Sequence, residues 1–334
     1  MEPLIHVTRS GLIECIHYGD IAVCDASGTL TGRVGDPSRT VFWRSSAKPI
    51  QALAVVQTGA ADRFAFTAKE LSICCASHHG SADHVATVRG LLAKMGLDES
   101  ALQCGTHMPG DPQENARLVR EGKDPSPAHN NCSGKHTGKL ASTLALGADV
   151  ATYLEPDSPV QQLIIKNMSV LSGVAPGDII LGVDGCSAPV HGMSLKAMAT
   201  AFARLATPAT LPHDLRPAAA RIIAAMAAEP VMVSGKGAFN SALLEAYQGR
   251  IVAKSGAEGL CVFGLTDLGI GVAIRTVDGS ARGQSSAVLR VLELLGACDD
   301  STRAALEGFV TTPLKNCRNQ VIGEVRAAEF SLEH

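Results

Sequence analysis

Ser45 and Lys48 stand three residues apart in the run Trp43-Arg44-Ser45-Ser46-Ala47-Lys48. On a helical turn that spacing puts a hydroxyl and an amine on one face, within reach of each other. A serine attacks a carbonyl only when a neighbouring base takes its proton, and a lysine stripped of water can be that base. A second lysine stands far downstream, in Lys254-Ser255-Gly256. Each motif is short enough to arise by chance, and Lys-Ser-Gly can equally be a plain strand end. Between them lies Ser77-His78-His79-Gly80, a polar turn that could close a helix or supply a further hydroxyl.

These groups need a frame. Residues 4–34 alternate apolar and polar, with turn signals at Arg9-Ser10-Gly11 and at Gly19-Asp20, which predicts an antiparallel meander. Pro49 lacks an N–H and must sit in a first helical turn, so a helix over 49–60 is expected, with Ser45 at or just before its start. Free backbone N–H groups point outward there, a place to hold an oxyanion. Thr67-Ala68-Lys69-Glu70 is a capping box, Ser81 can cap a helix through 84–95, and Asp111-Pro112 opens another. Helical periodicity recurs at 136–146, 159–171, 193–205 and 214–228. Strand signals return in RIVAKSG, GLCVFGLT and GIGVAIRTV, before a last helix over 285–297. An α+β fold follows: a sheet lobe from the two chain ends (1–45 and 230–334) and a helical lobe (46–229), with the site in the cleft between them.

Hydrophobic residues make up 46% of the 334, charged residues 18% and aromatics 4%, so the core is aliphatic. Net charge is −3 with no basic stripe, which argues against nucleic acid and polybasic membrane attachment as partners. The stretch MEPLIHVTRSGLIE has neither a signal peptide's apolar segment nor a membrane span's length, so the ten cysteines are expected as reduced thiols in the cytoplasm.

Two further polar runs stand out. The first, His129-Asn130-Asn131-Cys132-Ser133-Gly134-Lys135-His136, superficially suggests a phosphate loop. That motif needs Gly in place of His129 and Ser or Thr in place of His136, so nucleotide binding is rejected. The second is Asp184-Gly185-Cys186, after a strand-like IILGV. Cys132 and Cys186 could meet and bind a soft ion such as zinc, although single cysteines are commonly buried as small hydrophobes.

The order Ser-x-x-Lys, then a Ser turn, then Lys-Ser-Gly is found in the serine β-lactamases and penicillin-binding proteins. The whole set of motifs — WRSSAKPIQA, CCASHHG, HNNCSGKHTG, DGCSAP and AKSGAEG — resembles the L-asparaginase II family of rhizobial type over nearly the whole chain. The resemblance implies a β-lactamase-like fold, a homodimer, and hydrolysis of L-asparagine to aspartate and ammonia. It implies Ser45 as nucleophile with Lys48 as its partner, and Ser77 with Lys254 as a second pair. It implies zinc held by Cys132, Lys135 and Cys186, lysine being an unusual ligand because it must lose its proton. Arg44 and Asp184 are candidates, by charge and position, for the substrate's carboxylate and ammonium; His136 is a further candidate contact. The alternatives are a cytosolic β-lactamase- or peptidase-like hydrolase, and a non-catalytic protein that binds zinc or an amino acid.

Overall fold

The computed structural model describes residues 1–333. The N-terminal alternation forms β1 (Glu2–Arg9) and β2 (Leu12–Asp25), with β3 (Leu30–Val34) folding back on the far half of β2. Ser10 and Gly11 both take left-handed backbone angles in the first turn, which suits a tight hairpin. Gly19-Asp20, expected as a second turn, instead lies inside the unbroken β2. Gly19 is there for close approach, since a Cβ would collide with the Arg275 carbonyl. Asp20 is fully buried and holds Arg39 and the Asp36 N–H. The real turn follows Asp25, whose carboxylate accepts from Ser27 N–H at 2.8 Å and Thr29 N–H at 3.0 Å.

After β4 (Thr40–Phe42) the chain turns helical: α1 (Lys48–Gln57), α2 (Ala60–Arg63), α3 (Ala68–Cys74), α4 (Ala82–Lys94), α5 (Pro112–Glu121), α6 (Ser133–Ala145) and α7 (Pro159–Ser172). The capping signals act as expected, with Thr67, Ser81 and Asp111 accepting from first-turn N–H groups of α3, α4 and α5. Next come β5 (Ile180–Val183), β6 (Pro189–Ser194), α8 (Leu195–Ala206), α9 (Arg216–Ala228) and α10 (Phe239–Tyr247). Then follow β7 (Ile251–Ser255), β8 (Leu260–Leu265), β9 (Ile270–Thr276), α11 (Gln284–Leu294), α12 (Asp300–Val310), β10 (Thr311–Lys315) and β11 (Val321–Ala327).

The main sheet is antiparallel, in the order β10-β11-β1-β2-β9-β8-β7, with β3 also on β2. It therefore does join both chain ends, and the fold is α+β. Beyond the last helix that the sequence pattern predicts, α12 and the β10–β11 hairpin follow, and β11 completes the sheet against β1. A small second sheet, β4-β6-β5, carries the end of β4 toward the site. α8 lies across β2, β8 and β9 and buries Leu195, Met198, Phe202 and Leu205, each worth roughly 1.5–3 kcal/mol. Among the described residues no helix is long and apolar enough to cross a membrane.

Candidate active site

Trp43 directly follows β4 and is fully buried, stacked on Phe202 of α8 at 5.9 Å. The next turn, Arg44–Ala47, is a single 3₁₀ turn running into α1. Arg44 has a left-handed φ of 48°, uncommon for a side-chain-bearing residue, and Ser46 Oγ donates to the Trp43 carbonyl at 2.6 Å. This pinned turn presents Ser45, partly exposed, to a cavity of about 420 Å³. Lys48 sits one turn on, fully buried beneath it.

Ser45 and Lys48 lie on the consecutive 3₁₀ and α1 turns, and the lysine's hydrogen bonds go to residues other than Ser45. Lys48 Nζ donates to the Ala76 carbonyl at 2.6 Å and to Ser77 Oγ at 2.8 Å. Burial pushes its pKa down; Cys132 raises it and Lys135 lowers it further. Ser77 follows the end of α3 in a segment strung between neighbours: Ser77 N–H donates to Val233 O, His78 N–H to Asn131 O and His79 N–H to Ser234 O. His78 is buried and stacked on His84 at 4.9 Å; its Nδ1 accepts from Gly80 N–H, which leaves Nε2–H to donate to Ser133 Oγ at 2.9 Å.

Lys254 reaches the cavity from the end of β7. Its Nζ donates to the Ser255 carbonyl at 2.7 Å, and burial, then repulsion from Lys48, lowers its pKa to about 7. Ser77 is bonded by Lys48 rather than by Lys254, and Ser45, Ser77 and Lys254 line one cavity. The Lys-Ser-Gly glycine has a steric reason: a Cβ on Gly256 would lie 2.9 Å from Trp43 O, so only glycine lets the strand end close on the Ser45 turn. Among the described residues the N–H groups of Ser45 and Ala257 have no hydrogen-bond acceptor, and both residues line the cavity at that junction.

Sequence reasoning missed Asn240, in the first turn of α10. Its Oδ1 accepts from Ser255 N–H at 3.2 Å and Ser255 Oγ at 2.8 Å, while its Nδ2 donates to Ser234 Oγ at 3.2 Å. One amide thus ties the Lys254 strand to the segment that holds Ser77 and His79. The available signal was an Asn closing a Gly-rich run, SGKGAFN.

Behind the cavity the two remaining polar runs converge. Lys135 Nζ lies 2.9 Å from Cys186 Sγ, and Cys132, Lys135 and Cys186 are all buried. A hydrogen bond from Cys186 holds the Cys132 thiol well below its usual pKa against the cost of burial, with Lys135 and Lys48 assisting; Cys186 is pushed up. Burial disfavours the Lys135 ammonium, but Cys132 and Cys186 outweigh it and raise its pKa. Among the described residues no three His, Cys, Asp or Glu side chains cluster as metal ligands. The donors on hand are two thiols and an amine, a convergent soft set whose chemistry fits zinc once the lysine gives up its proton.

Arg44 and Asp184 hold each other, Nε to Oδ1 at 2.8 Å, and Arg44 also lies 3.6 Å from Glu258. His136 is fully buried and takes no part in the cavity wall; its Nδ1 is 2.7 Å from Tyr153 Oη.

The sequence matches the family described as L-asparaginase II over residues 5–327. A search among curated proteins found no match. Among solved structures, one described as Mglu in its native form shares 17% identity, aligns over 84% of this chain and 65% of its own, and gives a TM-score of 0.45. A β-lactamase from Mycobacterium bovis shares 14% over 87% of this chain and 94% of that one, with a TM-score of 0.43. A Bacillus glutaminase shares 13% over 84% and 91%, with a TM-score of 0.38.

Proposed function

The chain belongs to the L-asparaginase II family and is an amidohydrolase, and on that premise we propose that it hydrolyses the side-chain amide of L-asparagine through an acyl-enzyme on Ser45. The observation that carries the reading is the convergence of Ser45, Ser77 and Lys254 on one cavity, with Lys48 buried behind them. Ser45 attacks the amide carbon and Lys48 accepts its proton. The N–H groups of Ser45 and Ala257 receive the oxyanion. Ser77, bonded to Lys48 and facing the same cavity as Lys254, passes a proton to the leaving ammonia; water then releases aspartate. Like charges on Lys48 and Lys254 disfavour each other, which keeps a neutral amine available near neutral pH.

Arg44 and Asp184, the candidates for the substrate's charged groups, hold each other and do not line this cavity, so we assign them no contact with the substrate. Cys132, Lys135 and Cys186 would hold zinc, which would supply a Lewis-acidic centre beside the site. The setting is a cytoplasmic homodimer. Ten unpaired cysteines suit a reducing compartment, and exposed Phe42, Ile180, Leu181 and Val183 on the small sheet offer an apolar contact face.

Purified protein with L-asparagine should release ammonia and aspartate, and Ser45→Ala should remove nearly all of that rate. Glutamine should be poorer by on the order of 100-fold, because its extra methylene displaces the amide from Ser45. Absence of ammonia from pH 6 to 10 with zinc supplied, or a Ser45→Ala variant keeping more than about a tenth of the rate, rejects the reading.

A further inference from the structure

The wall of the cavity away from the Ser45 turn is the start of α11, where Ala281, Gln284 and Ser285 face the same space as Ser45, Ser77 and Lys254. α11 spans 11 residues, Gln284–Leu294. Gly283, at its N-cap with φ 73°, has no side chain to cap it, and the first turn holds no acidic residue. The Gln284 N–H is satisfied by Ala281 O at 3.1 Å, whereas those of Ser285 and Ser286 make no hydrogen bond among the described residues. Unsatisfied N–H groups at a helix start carry partial positive charge and bind anions.

A second observation points the same way. Gln284 is only 8% exposed, and its amide nitrogen has no hydrogen-bond partner among the described residues. A buried donor left unmade costs on the order of 1–3 kcal/mol, so this amide is suited to a partner that the protein itself does not provide. Ser285, also on the wall, has no side-chain hydrogen bond among the described residues. Among the described residues, Lys254 is the only charged side chain lining the cavity, and no carboxylate lines it. A site with one cation, a free helix start and a buried unpaired amide favours a negative group.

We propose that the first turn of α11, with Gln284 and Ser285, is an anion subsite that receives the substrate's carboxylate while the scissile amide lies at Ser45. This rests on the amidohydrolase reading and extends it to how the charged end is recognised. It also gives the carboxylate a place that Arg44, bonded to Asp184, does not offer.

The test uses the full-length protein, its Gln284→Glu and Ser285→Asp variants, and succinate as a probe that carries carboxylates but no amide. Ser285→Asp puts a carboxylate in the first turn, which favours the helix and competes with the ligand. Its melting temperature should therefore hold or rise while succinate binding weakens at least 10-fold by calorimetry. Gln284→Glu should weaken succinate similarly. With L-asparagine and its α-carboxamide as paired substrates, wild type should prefer the carboxylate form at least 10-fold in kcat/KM, and both variants should lose most of that preference. Succinate should compete with asparagine. Equal succinate binding by wild type and the folded variants, an unchanged preference, or non-competitive inhibition would overturn the subsite. Loss of succinate binding in the variants of a protein that releases no ammonia would uphold the subsite and sink the asparagine reading alone.

Discussion

Lys254→Met should make the protein more stable at neutral pH and less active. Lys254 is 1% exposed, so solvent screening does little to relieve the cost of its charge. Its pKa falls from 10.5 in an open chain to about 7 in the fold. At 1.36 kcal/mol per pH unit, that difference is a folding penalty of about 5 kcal/mol once the ammonium is fully charged in both states. The sign follows from proton binding. Between about pH 7 and 10.5 the unfolded chain binds the extra proton and the folded chain does not, so wild-type stability rises with pH through that window. The penalty is fully present below the folded value and absent above the unfolded one. Methionine fills a similar volume without charge but forfeits the hydrogen bond to Ser255 O, worth about 1 kcal/mol. The variant should therefore gain on the order of 3 kcal/mol at pH 7. The gain should shrink as pH rises and reverse to a loss of about 1 kcal/mol above pH 10.5. Urea unfolding of both proteins at pH 7, 9 and 11 measures this directly, beside ammonia release. A variant less stable than wild type at pH 7, or a difference that ignores pH, would refute the claim that Lys254 is held against its desolvation for catalysis.

Asn240→Ala should lower kcat 10- to 100-fold with KM changed less than about threefold, because it frees the Lys254 strand from the Ser234 segment without touching the substrate pocket's charge. Asn240→Asp, which keeps the acceptor for Ser255, should recover part of the rate, and no recovery would argue against a positioning role. Gly256→Ala should cost roughly 100-fold in rate, since its Cβ must push the strand end off Trp43 O, 2.9 Å away. Steady-state kinetics of a variant that melts like wild type checks this. Cys132→Ala and Cys186→Ala should lose bound zinc by elemental analysis while the melting temperature moves by only a few degrees, because a chain this long buries enough core without metal. Acid should release the metal, protons competing for the thiolates and for Lys135.

Local chemistry made much of this protein legible. The helix starts at Thr67, Ser81 and Asp111 are where their side chains can accept a first-turn N–H, and that depends only on neighbours in sequence. The same holds for Ser45 before a proline-started helix, and for the alternation that builds β7, β8 and β9. Gly19 shows the limit. A glycine beside an aspartate has the composition of a turn, yet this one lies mid-strand because the Arg275 carbonyl presses against it from β9. Nothing within several residues of Gly19 encodes that contact. The missed β10–β11 hairpin is similar: its half-exposed strands have weak alternation, and pairing with β1 from the far chain end defines them.

For the site, sequence alone determined which groups exist — a hydroxyl and an amine at helical spacing, a second lysine, two cysteines and a lysine with soft-donor chemistry. Tertiary structure decided how they pair. It turned Lys48 toward Ser77, bonded Arg44 to Asp184, sank His136 away from the cavity, and brought in Asn240 and the start of α11. Hydrogen bonds and pKa values depend on ångström distances and burial between segments far apart in the chain, 140 residues for Arg44 and Asp184, and spacing along a chain does not carry that information.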